Sequence, residues 1–330
     1  MKGLTRGLMA CALLLVSMPV IAESASSYQR ERVVYAEPDG SPLRMTLYLP
    51  DEPAGEGSER RPAVVLLHGG AWTVGWRQQL NWFCEQLAAQ GYVAATLDYR
   101  TIPGAVFPKP LHDAKAAVRW LRLNAEQYAI DPERIGALGK SAGGHLAAFL
   151  AVTGDSEVLE GEENPGPSSA VQAAVCFYAP FDLTYYEAHN NNGVTEWIGS
   201  RIIQYFVSDP SGYAKNGMTP AEAASPITYA GPESSPMLFI HGGEDGMVPA
   251  EQSQAFHERL KELGVPTELI VLPDQRHGFT RYPSQTREEV FQDVIAFLDN
   301  HLERPETAEN PAAESGNPIL TPSGAAAPDS

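Results

Sequence analysis

The hydrophobic positions of the chain predict strands that alternate with helices. Residues 63–67 form a continuous apolar run, which is typical of a strand buried on both faces of a sheet. Residues 110–127 instead repeat apolar side chains every third or fourth position, which is the period of a helix packed by one face. This alternation predicts an α/β fold, with a mostly parallel sheet, helices on both faces and catalytic groups at the carboxyl ends of the strands.

The same pattern gives the bounds of the predicted elements. The predicted strands are residues 31–36, 43–49, 63–67, 92–97, 134–138, 171–178, 237–240 and 268–272. The predicted helices are residues 78–90, 110–127, 145–152, 249–263 and 284–302. The first two strands alternate apolar and polar positions around the turn Pro38-Asp39-Gly40, which predicts antiparallel N-terminal edge strands.

Residues 180–234 interrupt this rhythm. They combine aromatic side chains with many Gly, Asn and Pro residues, and two interpretations stay open. The segment either walls a pocket or is a surface excursion with a small core of its own. The regular pattern otherwise predicts one domain over residues 23–302, and residues 303–330 are a Pro/Ala-rich stretch without apolar periodicity, which predicts a disordered tail.

The N-terminus predicts a secretory signal peptide over residues 1–22. Positive charges at Lys2 and Arg6 precede an apolar run that ends at Ile21, and small residues allow cleavage after Ala22. The alternative is a membrane anchor, but an apolar run of about 14 residues is too short to span a bilayer comfortably. We therefore expect a secreted or periplasmic protein with no membrane span in the mature chain.

Composition narrows the expected partners and cofactors. The net charge of −18 argues against nucleic acid or an anionic membrane surface as a partner. After removal of the leader, Cys84 and Cys176 remain, and their apolar surroundings predict two buried free thiols, with one disulfide as the alternative. The chain has no CxxC, no HExxH and no His/Cys spacing that suggests zinc, so no metal or cofactor is expected.

The stretch Gly139-Lys140-Ser141-Ala142-Gly143 has the G-x-S-x-G pattern of a nucleophile elbow. A predicted strand precedes it and a predicted helix follows it, which is the context that the motif requires. Side chains at Gly139 and Gly143 would clash with the adjoining strand and helix. Since a serine hydroxyl is a poor nucleophile at neutral pH, the chain must also supply a base, an orienting acid and donors for an oxyanion.

The oxyanion donors are predicted in the stretch His68-Gly69-Gly70-Ala71-Trp72, which follows the predicted strand 63–67. Consecutive glycines let backbone N–H groups turn toward a ligand without steric cost. Gly70 and Ala71 are the candidate donors, and the N–H of Ala142 is the second arm of the oxyanion hole. The alternative is an ordinary Gly-Gly turn after a strand.

Asp245 is the candidate acid because it follows the predicted strand 237–240, with Glu244 as the nearer competitor. His277 is the candidate base, since it alone of the eight histidines lies in the loop between the last strand and the final helix. The order Ser141, Asp245, His277 is the one that this architecture uses. The other histidines are expected to be structural (His145), packed at element ends (His68, His112, His241) or solvated (His189, His257, His301).

These motifs resemble the α/β-hydrolase superfamily over nearly the whole mature chain. More narrowly, HGGAW at 68–72, DYR…FPKPLHDAKAAVRWLR between 98 and 122, and GKSAGGHLA at 139–147 resemble a secreted esterase and lipase group with acetylxylan- and feruloyl-esterase-like members. The resemblance implies an α/β-hydrolase fold and hydrolysis of carboxylic esters, with Ser141, Asp245 and His277 at the catalytic positions. It also implies loop-bracing roles for Asp98, Arg100 and Asp113.

The hormone-sensitive-lipase-like esterases share the HGG loop and the SAGG elbow, but two features depart from that group. Lys140 stands where those esterases carry an acidic residue. The chain between the mature N-terminus and His68 is too short for their N-terminal helical cap.

The leading hypothesis is a secreted serine carboxylesterase for short acyl groups, which acts on a small-molecule ester or deacetylates plant polysaccharide. One alternative is an amidase or formamidase on a small molecule, since related HGG-type hydrolases also cleave amides. Another is a non-catalytic binding protein on a hydrolase fold, but the presence of Ser141, Asp245 and His277 argues against it.

Overall fold

A computed structural model describes residues 28–302 apart from 52–59, 155, 157–158, 189–193, 210–216 and 280–283. The predicted signal peptide and the predicted tail lie outside the described residues. The strands are β1 Tyr28–Ala36, β2 Leu43–Pro50, β3 Arg61–Leu67, β4 Val93–Leu97, β5 Ile130–Lys140, β6 Ala173–Phe177, β7 Met237–Gly242 and β8 Thr267–Leu272. The helices are α1 Asn81–Ala89, α2 Lys109–Leu123, α3 Ala142–Thr153, α4 Thr184–Ala188, α5 Val194–Phe206, α6 Pro220–Ala223, α7 Glu251–Glu262 and α8 Ser284–Leu302.

The strands form one eight-stranded sheet in the order β1-β2-β4-β3-β5-β6-β7-β8. β2 pairs antiparallel with both β1 and β4. The remaining neighbours pair parallel. The predicted α/β class, with antiparallel N-terminal edge strands, is therefore confirmed. Because parallel strands end at the same edge of a sheet, the loops after β3, β5, β7 and β8 meet there.

Two hydrophobic clusters cover the two faces of this sheet. Along β3, Val65 and Leu67 belong to the first cluster and Val64 and Leu66 to the second, because successive side chains of a strand point to opposite faces. The first cluster includes the buried sides of α2, α3 and α7. The second includes those of α1 and α8. Helices therefore bury both faces of the parallel part of the sheet, as its continuous apolar strands require.

Cys84 and Cys176 are buried free thiols. Cys176 belongs to the first cluster and Cys84 to the second, so the sheet separates them. The alternative of a disulfide between them is wrong for this structure.

The bounds of some elements differ from the predicted ones. The helix predicted at 78–90 begins only at Asn81, since residues 77–80 form a 3₁₀ turn. Arg77 fixes that turn, because its backbone N–H donates to Asp98 and its guanidinium forms an ion pair with the same carboxylate. The helix predicted at 110–127 ends at Leu123, and β5 starts earlier than predicted, at Ile130.

The described parts of residues 180–234 form α4, α5, α6 and a short 3₁₀ turn. Tyr186, Ile203 and Phe206 of this segment are buried in the first cluster of the main domain. The ring of Phe206 stacks on that of Trp72 with 4.3 Å between centroids. The segment therefore packs on the sheet rather than around a separate core. None of the helices in the described ranges is both long and apolar enough to cross a membrane.

Candidate active site

Ser141 lies in the sharp turn between β5 and α3. Its backbone has φ 52° and ψ −119°, a strained conformation for a residue with a side chain. The turn is tight because its flanking glycines touch backbone: a Cβ on Gly139 would lie 2.1 Å from the carbonyl oxygen of Gly143, and a Cβ on Gly143 would lie 2.1 Å from that of Leu67. The strand, turn and helix predicted around Ser141 are thus present.

The structure brings Ser141, His277 and Asp245 into one hydrogen-bonded row. Oγ of Ser141 lies 3.0 Å from Nε2 of His277. Nδ1 of His277 lies 2.7 Å from Oδ2 of Asp245. Because a carboxylate only accepts hydrogen bonds, Nδ1 carries the hydrogen atom, which leaves Nε2 free to accept the proton of the serine hydroxyl. The ring of His277 also packs edge-on against Tyr178, with 4.9 Å between centroids.

Asp245 is held on both carboxylate oxygens. Its Oδ1 accepts from the backbone N–H groups of Met247 and Val248, each at 2.9 Å. Its side chain has no solvent exposure. Burial alone raises the pKa of Asp245, but the hydrogen bonds from His241, His277 and the Val248 N–H outweigh it, so the pKa lies well below its ordinary value. The carboxylate therefore stays ionised beside His277 at neutral pH.

Two glycines let the His277 loop approach Asp245. A Cβ on Gly242 would lie 2.3 Å from the carbonyl oxygen of Gln275, and a Cβ on Gly243 would lie 2.7 Å from that of Pro273. The competitor Glu244 does not join the row, since its half-exposed carboxylate lies 3.5 Å from Arg276.

The loop after β3 borders Ser141, as predicted for the oxyanion donors. A Cβ on Gly69 would lie 3.0 Å from the carbonyl oxygen of Lys140 and 3.4 Å from the Cβ of Ser141, so a side chain here would press on the backbone of the serine turn. Gly70 and Ala71 have positive φ values of 129° and 51°. In the part of the chain that the structure describes, the N–H groups of Gly70, Ala71 and Ala142 donate to no protein acceptor. These three N–H groups therefore remain candidate donors to an oxyanion.

A cavity of about 230 Å³ opens beside the serine. Its walls are mostly apolar, and among the described lining residues the groups that can form side-chain hydrogen bonds are the hydroxyls of Ser141 and Tyr186 and the indole N–H of Trp72. Ala71 and Ala142 contribute to the lining, whereas Gly70 does not. The lining residues are Ala71, Trp72, Ser141, Ala142, Pro180, Tyr186, Gly199, Ile202, Ile203, Met247 and Val248. Residues 180–234 thus supply much of one wall.

The residues expected to brace nearby loops make ionic contacts. Asp98 pairs with Arg77, and its backbone carbonyl accepts from the hydroxyl of Tyr35 at 2.7 Å. Arg100 binds both carboxylate oxygens of Asp113, at 2.7 and 3.0 Å. These pairs fix the chain that follows β4, from which the N–H of Ile102 donates to the carbonyl of Trp72 at 2.7 Å.

His145 and Lys140 lie beside the elbow but outside the row. The buried ring of His145 bonds through Nε2 to the carbonyl of Ala224 at 2.9 Å, and burial lowers its pKa to about 4. The ammonium of Lys140 lies 4.4 Å from the ring centroid of Phe83, in the second cluster. Burial and the nearby charge of Arg287 lower the pKa of Lys140 to about 8.

The sequence reasoning missed one contact of the row. His241 was expected only to pack at the end of its strand, yet its Nε2 lies 3.4 Å from Oδ2 of Asp245. The available signal was the spacing of His241 and Asp245 across the end of β7. In the described ranges, no group of three or more His, Cys, Asp or Glu side chains is arranged to hold a metal ion.

The sheet order, the strained serine turn and the row at the carboxyl edge define an α/β hydrolase. Within that class the chain belongs to the BD-FAE family, an esterase family whose model matches residues 45–260.

Curated relatives carry esterase names. Esterase LipQ of Mycobacterium tuberculosis is 34% identical over 245 residues, which are 72% of this chain and 55% of that protein. The isoprenylcysteine alpha-carbonyl methylesterase ICME of Arabidopsis thaliana is 26% identical over 310 residues, which are 90% of this chain and 69% of that protein. The match thus spans little more than half the length of the mycobacterial relative.

Solved structures of an esterase have the same fold. The butyrate-bound thermophilic esterase Est2 of Thermogutta terrifontis aligns with a TM-score of 0.68 and 30% identity. The alignment covers 82% of this chain and 93% of that chain. A form of that esterase phosphonylated by sarin aligns with a TM-score of 0.69 and 30% identity, over 82% of this chain and 94% of that chain.

Proposed function

We propose that this protein is a secreted serine carboxylesterase that hydrolyses esters of short acyl groups. The proposal rests on the hydrogen-bonded row of Ser141, His277 and Asp245, because Ser141 lines an apolar cavity. Membership of an esterase family supports it. Because many α/β-fold proteins share an architecture and not a reaction, the assignment rests on this site rather than on the fold.

In the proposed reaction, Oγ of Ser141 attacks the acyl carbon while Nε2 of His277 takes its proton. Asp245 keeps the imidazole in the required tautomer and stabilises the cation. The N–H groups of Gly70, Ala71 and Ala142 are the proposed donors to the oxyanion. The alcohol leaves with the proton from His277, and water then repeats the sequence on the acyl-enzyme, which releases the acid and restores Ser141.

The apolar lining of the cavity favours binding of a short apolar acyl group over a polar one. Its walls offer few hydrogen-bonding groups, so a polar acyl substituent would lose its hydration without replacement. Two finer parts of the proposal come from sequence: export through the leader 1–22, and an alcohol portion that is either a small molecule or an acetylated plant polysaccharide. N-terminal sequencing of exported protein tests the first, with Glu23 as the expected first residue.

The function is tested with p-nitrophenyl acetate, butyrate and octanoate and with acetylated xylan, on wild type and on Ser141→Ala. We expect wild type to hydrolyse the shorter esters and Ser141→Ala to fall by about 10⁶-fold in kcat. Acetate released from xylan would identify a polysaccharide deacetylase, and its absence would identify a small-molecule esterase. The proposal is wrong if wild type cleaves none of these esters and does not react with a fluorophosphonate, and anilides and formamides would then be assayed.

A further inference from the structure

His241, at the end of β7, has partners on both ring nitrogens. Its Nε2 lies 2.9 Å from the carbonyl oxygen of Val248 and 3.4 Å from Oδ2 of Asp245. Both neighbours of Nε2 are acceptors, so this nitrogen carries a hydrogen atom and donates to them. Its Nδ1 lies 2.6 Å from Oγ of Ser253 on α7, and His241 and Ser253 are completely buried. The ring is therefore fixed in one orientation.

Two histidines share one oxygen of Asp245. Oδ2 accepts from Nδ1 of His277 at 2.7 Å and faces the N–H of His241 on its other side. Oδ1 is occupied by two backbone N–H groups, which hold the carboxylate in place. A donor behind Oδ2 withdraws negative charge from the oxygen that faces His277, so Asp245 stabilises the imidazolium less strongly than an unshared carboxylate would.

We propose that His241, held by Ser253, is a positioning residue that sets how strongly Asp245 stabilises protonated His277, and thereby the lowest pH at which Ser141 has a free base. The inference rests on the proposed function for the role of Ser141 and His277. A histidine that only filled space would need no contact beyond Val248 and Ser253. The approach to Oδ2 adds a contact with the row itself.

Among the described residues, few other ionisable groups surround Asp245. His241 comes from β7, His277 from the turn after β8 and Tyr186 from α4. Burial and the charge of Asp245 raise the pKa of Tyr186, so this phenol stays neutral. Arg276 pairs with Glu244 at the exposed side of the site, and α7 brings the uncharged Ser253. Replacement of His241 therefore changes one neighbour of Asp245 and leaves the others in place.

The test compares wild type, His241→Phe and Ser253→Ala. We expect His241→Phe to move the midpoint of the acid limb of kcat/KM upward by about 0.5 to 1 pH unit, which is a roughly three- to tenfold loss of activity below that midpoint. At the alkaline plateau, kcat should stay within a few fold of wild type. Ser253→Ala should shift the midpoint of the acid limb in the same direction by a smaller amount. If His241→Phe does not fold, Ser253→Ala alone tests the inference.

Ser169→Ala is the matched control. The hydroxyl of Ser169 is also fully buried and bonds to the carbonyl of Gly154 at 2.7 Å, but it lies in the network of Lys115 and Glu160, outside the candidate site. We expect it to lower the thermal midpoint without moving the acid limb. A purely structural role for Ser253 would give the same result as Ser169.

An NMR titration of the imidazole signal of His277 measures the midpoint of its protonation without any substrate. The signal is assigned by its absence in His277→Gln. The midpoint should rise in His241→Phe and in Ser253→Ala. The inference is overturned if both variants fold and the midpoint stays or falls. If wild type hydrolyses no ester, the proposed function is refuted. The NMR titration would still measure the effect of His241 on the protonation of His277.

Discussion

The buried carboxylate of Asp245 is stabilised in its ionised form by hydrogen bonds on both oxygens. Its pKa in the folded protein lies below the ordinary 3.8, because these bonds outweigh the effect of burial. A lowered pKa of an acid stabilises the folded state above the unfolded-state value, and this stabilisation is lost as the pH falls through the folded value. The row is therefore a source of acid sensitivity.

Replacement of Asp245 with Asn should remove this dependence. We expect Asp245→Asn to be less stable than wild type above pH 3.8, and the difference in free energy of unfolding to narrow as the pH falls below that value. Urea titrations of both proteins between pH 6 and pH 3 measure it. A difference that is constant over this range would contradict the prediction.

Lys140 has the opposite effect on stability. Burial and Arg287 lower its pKa from 10.5 to about 8, which means that the folded state disfavours the charged form. The cost is fully present below pH 8 and disappears as the pH rises toward 10.5. Lys140→Met should therefore stabilise the protein at pH 7 by about 1 to 2 kcal/mol, after the loss of the contact with Phe83 is subtracted.

The same urea titrations at pH 7, 9 and 10.5 check this prediction. The advantage of Lys140→Met over wild type should shrink as the pH rises. Lys261→Met is the control, because the Lys261 side chain is half-exposed and pairs with Glu258. It should change stability little at any of these pH values.

The sequence predicted Ser141, Asp245 and His277 because each follows a strand, and parallel strands end at one edge. The structure places those three side chains in hydrogen-bonding contact. The contact of His241 with Asp245 was not predictable in the same way. It depends on how the chain turns after Gly242, and that turn depends on the backbone of Gln275, which is distant in sequence.

At the scale of elements, helix α5 forms the part of the cavity wall that limits the width of the cavity. Gly199 lies in the cavity wall, and a Cβ there would meet the ring of Tyr186 at 3.6 Å, which is ordinary contact. An alanine therefore fits at this position, while a longer side chain must extend into the cavity or displace the helix.

We expect Gly199→Leu to select against long acyl chains. Its kcat/KM for p-nitrophenyl octanoate should fall by about tenfold or more relative to acetate, since each excluded methylene costs about 1 kcal/mol or more of binding. Gly199→Ala is the matched control and should keep the selectivity of wild type. Equal losses on octanoate and acetate would show that α5 does not limit the acyl chain.

The regular elements were predictable because their apolar spacing follows from packing on a sheet. α5 was not predicted, since residues 180–234 mix aromatic, Gly, Asn and Pro residues without a clear period. Its Ile203 and Phe206 are buried against the main core, and Phe206 stacks on Trp72 of the loop after β3. Tertiary contacts, which a local pattern does not contain, therefore define this helix.

At the scale of the whole molecule, the sheet separates two cores and holds one thiol in each. Cys84 and Cys176 are fully buried, and burial raises the pKa of both thiols. A thiol that is both inaccessible and protonated does not react with a disulfide reagent. Modification of either thiol therefore requires local or global unfolding.

We expect the native protein, expressed from residue 23 so that Cys11 is absent, to show no reaction with DTNB over hours, and both thiols to react at once in denaturant. In partial denaturant the two should react at the same rate, because opening either core removes the helix layer that supports the shared sheet. Cys84→Ser and Cys176→Ser variants separate the two rates. A tenfold difference between them would show that the two cores open independently.

The class of the fold was predictable at this scale, but the order of its strands was not. The apolar runs indicate buried parallel strands, yet nothing in them states that β4 lies between β2 and β3. That arrangement depends on long-range pairing, such as that of β2 with β4, which β3 separates in the sequence but not in the sheet.

The hydrogen-bonded row and the wall of the cavity come from separate stretches of the chain. Ser141, Asp245 and His277 follow β5, β7 and β8, whereas Tyr186 and Gly199 belong to the segment between β6 and β7. Mutations in that segment can alter which ester fits while the reacting groups keep their geometry. A gene library confined to codons 186, 199, 202 and 203, whose residues line the cavity, would therefore explore substrate preference without changing the reacting residues.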